Sequence, residues 1–256
     1  MQLFFRRHGS GQPLIVLHGL FGSADNWNTL GKKWAEHFTV YLLDQRNHGH
    51  SPHSDTWNYK AMTEDLLELM DRERLPRAHV LGHSMGGKTA MFFATAHPDR
   101  TDKLIVADMA PRYYPVHHQA ILEALTTLDL SAIHTRKEAE EWVFPKVGGA
   151  GTGLFLLKNL YRQDDGFAWR FNLPVIHDNI DAAGEALPAG ARFEGEALFI
   201  RGGKSNYITA EDEQQIRKMF PAAKIVTLDT GHWVHAEQPA EFGRLVLEFL
   251  ASPSAG

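Results

Sequence analysis

Apolar residues fall along this chain in two rhythms. Short, nearly uninterrupted runs, "PLIVLHG" (13–19), "FTVYLLD" (38–44), "AHVLG" (78–82), "DKLIVAD" (102–108), "ALFIRG" (197–202) and "KIVTLD" (224–229), read as strands buried on both faces. Between them "NYKAMTEDLLELMDRERL" (58–75) and "AEFGRLVLEFL" (240–250) place apolar residues at helical spacing. Strands alternating with helices predict an α/β fold with a mostly parallel central sheet covered by helices on both faces. The alternation breaks after Asp108. Residues 112–192 carry helical patterns, several prolines and the glycine-rich "VGGAGTG" (147–153), with no convincing strand. The simplest organisation is a core of residues 1–111 and 193–256 with a helical subdomain, 112–192, inserted at one edge of the sheet.

Composition narrows the function classes. Apolar residues are 43% and charged residues 22% of the 256, ordinary values for a globular chain. A net charge of −5 gives no basic footprint for nucleic acid. No apolar run approaches the roughly 20 residues of a membrane span. The start "MQLFFRRHGSG" lacks the order of a signal peptide, and the expected location is the cytoplasm. With no cysteine, disulfides, thiolate nucleophiles and thiolate zinc sites are excluded.

The stretch "GHSMGGKT" (82–89) fits two chemistries. As G-x-S-x-G it is a nucleophile elbow that exposes Ser84 on a sharp strand-to-helix turn. As G-x-x-x-x-G-K-[ST] it is a phosphate-binding loop with Lys88 and Thr89 on phosphate and magnesium, and "LIVAD" (104–108) would supply the magnesium aspartate. Two distant signals favour the elbow. "HGLFGS" (18–23) follows the strand beginning at Pro13, where a loop opened by His-Gly supplies one oxyanion amide, here Leu20; the other comes from Met85, and Phe21 is a weaker donor. "GHW" (231–233) follows the last strand and offers His232 as general base. Under this reading Lys88 becomes a helix-surface lysine or a salt-bridge partner, and His18 orders the oxyanion loop.

"HGLFGS", "DQRNHGHS" (44–51), "GHSMGG", "ADMAP" (107–111) and "GHWVHAEQP" (231–239) together resemble the α/β-hydrolase superfamily. More narrowly, "GHSMGGK", "WRFNLPV" (169–175) and "RGGKSNYI" (201–208) are similar to the YbfF-type esterases, small bacterial acyl-ester and acyl-CoA thioester hydrolases. The resemblance runs from about Pro13 to Leu250. It implies a cofactor-free serine hydrolase with a helical cap, acting on a small-molecule acyl ester or thioester.

The triad acid is less direct. Many such hydrolases carry it after the strand corresponding to 197–202, but here Ser205 stands in its place. Asp108, at the end of the neighbouring strand, lies within reach because parallel strands are about 4.7–4.9 Å apart. The family's D-x-A-P segment matches Asp108-Met109-Ala110-Pro111 and points the same way. Asp229, just before "TGH", is the competing assignment, and Ser205 becomes a hydrogen bonder behind Asp108. Phe21, His83, Trp169, Tyr207 and Trp233 are the expected pocket residues, with Trp142, Phe144, Phe155 and Phe171 mostly in the core of the insert. His48, His50 and His53 have the H-x-H spacing of metal sites, yet no suitably placed aspartate follows, so they read as a solvated loop; His117-His118 reads as a surface pair. Lys146, Lys158, Arg162 and Arg170 are candidates for the phosphates of coenzyme A. Lactone opening, carbon–carbon hydrolysis, a non-catalytic binding scaffold and a nucleotide-triphosphatase are the competing functions.

Overall fold

A computed structural model describes residues 1–115, 118–164 and 166–252. The chain runs β1 (Phe5–His8), β2 (Gln12–Leu17), α1 (Asn28–Trp34), β3 (Phe38–Leu43), α2 (Tyr59–Arg72), β4 (Ala78–His83), α3 (Met85–Ala96) and β5 (Thr101–Ala107). Residues 112–192 then hold α4 (Gln119–Thr126), α5 (Arg136–Val143), α6 (Ala150–Leu157), β6 (Leu160–Gln163), β7 (Gly166–Trp169) and α7 (Leu173–Asp178). The core resumes with β8 (Ala197–Gly202), α8 (Asp212–Met219), β9 (Ala223–Leu228), α9 (Val234–Glu237) and α10 (Pro239–Ala251).

The main sheet has the order β1-β3-β2-β4-β5-β8-β9; only β1 is antiparallel to its neighbour. Side chains alternate across a strand, so β2 sends Ile15 and Leu17 to one face and Leu14 and Val16 to the other. The first face packs with Leu66 and Leu69 of α2 and Met91 and Phe93 of α3. On the second face lie Trp34 of α1 and Phe242 and Val246 of α10. Two-sided burial is what made these strands read as unbroken apolar runs.

Register decides where chemistry can sit. Leu17 pairs with Gly82, His83 with Ala107, and Ala107 with Ile200. The residues that follow β4 and β5, Ser84 and Asp108, therefore emerge side by side at the carboxyl edge. Strand order reverses between β2 and β4, the kind of crevice in which open α/β sheets bind ligands.

Among its described residues the segment 112–192 adds no strand to the main sheet but is not wholly helical. β6 and β7 form an antiparallel hairpin, which the sequence pattern did not predict. Each strand has only four residues, and Arg162 and Gln163 are exposed, so no period is long enough to read. Leu125, Val143, Leu156 and Phe171 of this segment pack with Leu20, Phe21 and Met85 into a third apolar cluster above the strand ends. Among the described residues no helix is long and apolar enough to cross a membrane.

Candidate active site

Ser84 occupies the single position between β4 and α3, with φ 54° and ψ −119°. A positive φ on a non-glycine residue is strained and survives only where its surroundings impose it. Here two glycines make the turn possible. A Cβ on Gly82 would stand 2.0 Å from the Gly86 carbonyl oxygen, and one on Gly86 would stand 2.5 Å from the carbonyl oxygens of Leu17 and His18. Gly86→Ala forces backbone apart and is expected to destabilise the fold by about 1–3 kcal/mol, read by urea melts; unchanged stability would mean the turn is not this tight.

Asp108 follows β5 in an equally unusual conformation, φ 48°, and is fully buried. Its Oδ1 accepts the Gly202 N–H at 2.9 Å; its Oδ2 accepts the Ser205 hydroxyl at 2.5 Å and faces His232 Nδ1 at 2.8 Å. An ionised carboxylate only accepts, so Nδ1 carries the proton and Nε2 keeps a free lone pair. Two further groups hold His232. His83 donates from Nε2 to the His232 carbonyl oxygen at 2.9 Å, and the Tyr207 ring stacks on the imidazole with centroids 3.8 Å apart and planes 15° from parallel. Asp229 lies elsewhere: its side chain is 79% exposed and pairs with Lys204 at 3.0 Å.

The loop after β2 is fixed by buried histidines. His18 donates from Nδ1 to the Gly19 carbonyl oxygen at 2.8 Å and accepts the Gln45 N–H on Nε2 at 2.9 Å. The Phe21 N–H is spent on His48 Nε2 at 3.2 Å, while His48 Nδ1 donates to Arg46 O at 3.0 Å. Among the described residues the Leu20 N–H has no acceptor in the protein. Met85 opens α3, and the first amide of a helix has no partner inside it. Among the described residues the Leu20 and Met85 amides are thus without an acceptor in the protein, whereas Phe21's is taken by His48.

A strained serine and an oriented imidazole lining one cavity fit a serine hydrolase, and the chain's relatives are hydrolases. Residues 12–130 match the family model described as the alpha/beta hydrolase fold. The chain is 36% identical over 245 residues to the Escherichia coli esterase YbfF, covering 94% of this chain and 94% of that protein. It is 36% identical over 247 residues to the Mus musculus sn-1-specific diacylglycerol lipase ABHD11, covering 93% of this chain and 80% of that one. A solved marine microorganism esterase matches with a TM-score of 0.93 at 43% identity, over 97% of this chain and 99% of its own.

The chain belongs to the α/β-hydrolase family.

On this hydrolase fold, Ser84 and His232 line one cavity of about 270 Å³. Phe21, His83, Tyr207 and Trp233 also line it; Trp169 does not. Trp169 instead stacks on Phe171 at 5.2 Å, and Phe171 meets Phe21 at 5.1 Å, one layer behind the wall. The wall contributed by 112–192 comes from His118, Ile121, Val147, Thr152, Phe155 and Leu156. None of these was an expected pocket residue, and Phe155 was assigned to the core of the insert, because helical periodicity does not say which apolar face meets a cavity. His118 lines the cavity rather than the outer surface, and His117 lies outside the described residues.

Lys88 also departs from its expected place. It is fully buried, neither on the helix surface nor in a salt bridge, and donates to Arg112 O at 2.5 Å and to Glu185 O. Burial pushes its ammonium down to about 7. Thr89 bonds Gln45 and Met85 O, so neither residue is turned to a phosphate cradle. The four basic residues of the insert do not converge. Lys146 lies over Trp142 and Arg162 over Phe167, while Lys158 and Arg170 border a separate recess with Arg6 and Asp44. The H-x-H loop divides its labour: His48 is buried under Phe21, and His53 bonds Arg170 O at 3.0 Å. Among the described residues no group of three ligating side chains could hold a metal.

Desolvation sets the electrostatics. It lowers His18 to about 4, His48 to about 3 and His235 to about 3. His83 falls well below its ordinary value by burial first, with His235 and His232 adding to it.

Proposed function

We propose that this chain is a serine hydrolase of carboxylic esters working through an acyl-enzyme on Ser84, with segment 112–192 as its cap. His232 Nε2 takes the Ser84 proton as Oγ attacks the acyl carbon, and passes it to the departing alkoxide as the acyl–oxygen bond breaks. Asp108 holds the His232 tautomer and supports the imidazolium. Leu20 and Met85 donate to the oxyanion, each interaction strengthening as charge develops. Water, giving a proton to His232 Nε2, then attacks the acyl carbon; the acyl–Oγ bond breaks, His232 returns the proton to Ser84 Oγ, and the carboxylic acid leaves.

The observation carrying this reading is the 2.8 Å pairing of His232 with a buried carboxylate, in a cavity shared with a strained serine. The names of the relatives, an esterase and a lipase, support ester cleavage. The same sequence of bonds serves an acyl thioester, with a thiolate leaving in place of the alkoxide. Ser84→Ala is expected to lower kcat on p-nitrophenyl acetate by about 10⁴-fold or more and to abolish labelling by a fluorophosphonate. A variant keeping a tenth of wild-type turnover removes Ser84 from the chemistry. Acetyl-CoA in the same assay decides whether thioesters are substrates.

A further inference from the structure

Two recesses meet at Ser84. The larger, about 270 Å³, is bordered by His232, His83 and Trp233, and by Ile121 and Phe155 from the segment above. The smaller, about 20 Å³, is bordered by Met85, Met109, Tyr114, Ile180 and Ala183. Ser84, Leu20, His118 and Tyr207 belong to both, whereas His232 borders only the larger and Met85 only the smaller.

That asymmetry orients an ester, given the hydrolase reading above, on which this inference rests. The tetrahedral carbon bears Ser84 Oγ, the oxyanion, the leaving oxygen and the acyl substituent. The oxyanion must point at the Leu20 and Met85 amides. The leaving oxygen must collect a proton from His232 Nε2, so the alcohol departs through the recess that His232 borders. What remains for the acyl substituent is the recess past Met85. A cavity of this size holds about one water-sized group.

The small recess is also poorly able to widen. The Tyr114 hydroxyl accepts the Ala110 N–H at 2.9 Å and donates to Tyr207 O, and the Tyr114 N–H donates to Gly184 O at 2.8 Å. Gly184 backs this wall so closely that a Cβ on it would stand 1.9 Å from Tyr114 O. The larger recess is walled on its far side by apolar side chains of α4 and α6, a suitable lining for an alkyl chain.

We propose that the recess past Met85 is the acyl subsite, and that the substrates are short-acyl esters, of the acetyl class, carrying long apolar alcohols. Hydrolysis then releases a short carboxylic acid and a long alcohol.

Hexyl acetate and ethyl hexanoate are isomers that differ only in which side of the ester is long. Their kcat/KM ratio, measured by pH-stat on one preparation, does not depend on the amount of active protein. Hexyl acetate is expected to lead by about tenfold or more, since misfit of even one methylene in an apolar pocket costs about 10–200-fold. Ile180→Ala opens the small recess and is expected to shrink that lead by about threefold or more. Equal rates, a lead for ethyl hexanoate, or a ratio untouched by Ile180→Ala overturns the subsite assignment and leaves the hydrolase reading standing. Failure to cleave either ester overturns both.

Discussion

Asp108→Asn is expected to cut kcat on p-nitrophenyl acetate by about 10⁴-fold, while Asp229→Asn stays within about twofold of the parent. The size of the first effect follows from the donors around the carboxylate. Gly202 N–H donates to Oδ1, and the Ser205 hydroxyl and His232 Nδ1 both lie on Oδ2. An asparagine can satisfy Gly202 only by placing its carbonyl there, which turns its NH₂ toward His232. The imidazole must then accept at Nδ1, its proton moves to Nε2, and it cannot take a proton from Ser84. Flipping the amide sets NH₂ against the Gly202 N–H, which is worse. Asp229 has no such neighbours and is mostly solvated. Stopped-time ester assays with circular dichroism as the folding control measure both variants. Near-parental turnover in Asp108→Asn, or collapse in Asp229→Asn, would reassign the acid.

Acid is expected to unfold this protein well before its carboxylates are protonated in bulk. His18, His48 and His235 are lowered to about 4, 3 and 3, and His83 well below its ordinary value, all chiefly by burial. Hydrogen bonding demands the same neutrality at two of them: His18 Nε2 accepts from Gln45, and His48 Nε2 accepts from Phe21. For a group depressed on folding, the stabilisation is fully present above the unfolded value near 6.5. It is lost as pH falls toward the folded value, because the unfolded chain binds the proton first. Four such groups give a slope of about 5 kcal/mol per pH unit near pH 5, enough to exhaust the stability of an ordinary domain within about two units. Urea unfolding at intervals from pH 7.5 to pH 5 reads the slope. The ring of His235 stacks on Trp27 at 4.3 Å and its Nδ1 has no hydrogen-bond partner, so His235→Phe is expected to keep the packing and lower the slope by about a quarter. Stability independent of pH down to 5 would show that these rings are charged or solvated in the fold.

Much of the architecture was legible because a parallel sheet buried on both faces writes itself as runs such as "PLIVL" and "FTVYLL". The same logic explains the failures. β1 alternates Phe5 with Arg6, Arg7 and His8 on an antiparallel edge, and β6 and β7 are too short to show a period. The positions of Ser84, Asp108 and His232 at one end of the sheet were legible because each follows a strand that is itself readable, so sheet order places them. Trp169 and Phe155 could not be ranked, since one layer of packing separates a cavity wall from what lies behind it. Lys88 was misread for a different reason. α3 is buried on nearly every side, so a charged residue in it has no solvated face, and sequence period cannot reveal that backbone carbonyls wait for its ammonium.

Lys88 lies one helical turn beyond Ser84 and donates its own N–H to the Ser84 carbonyl oxygen at 3.0 Å. Its ammonium ties down Arg112 and Glu185, where the chain leaves the core and where it is about to return. Both gateposts of the excursion are therefore moored to the nucleophile's own turn. A swing of the whole excursion about its roots would tug on Ser84, a restraint that does not reach the stretch carrying Ile121 and Phe155.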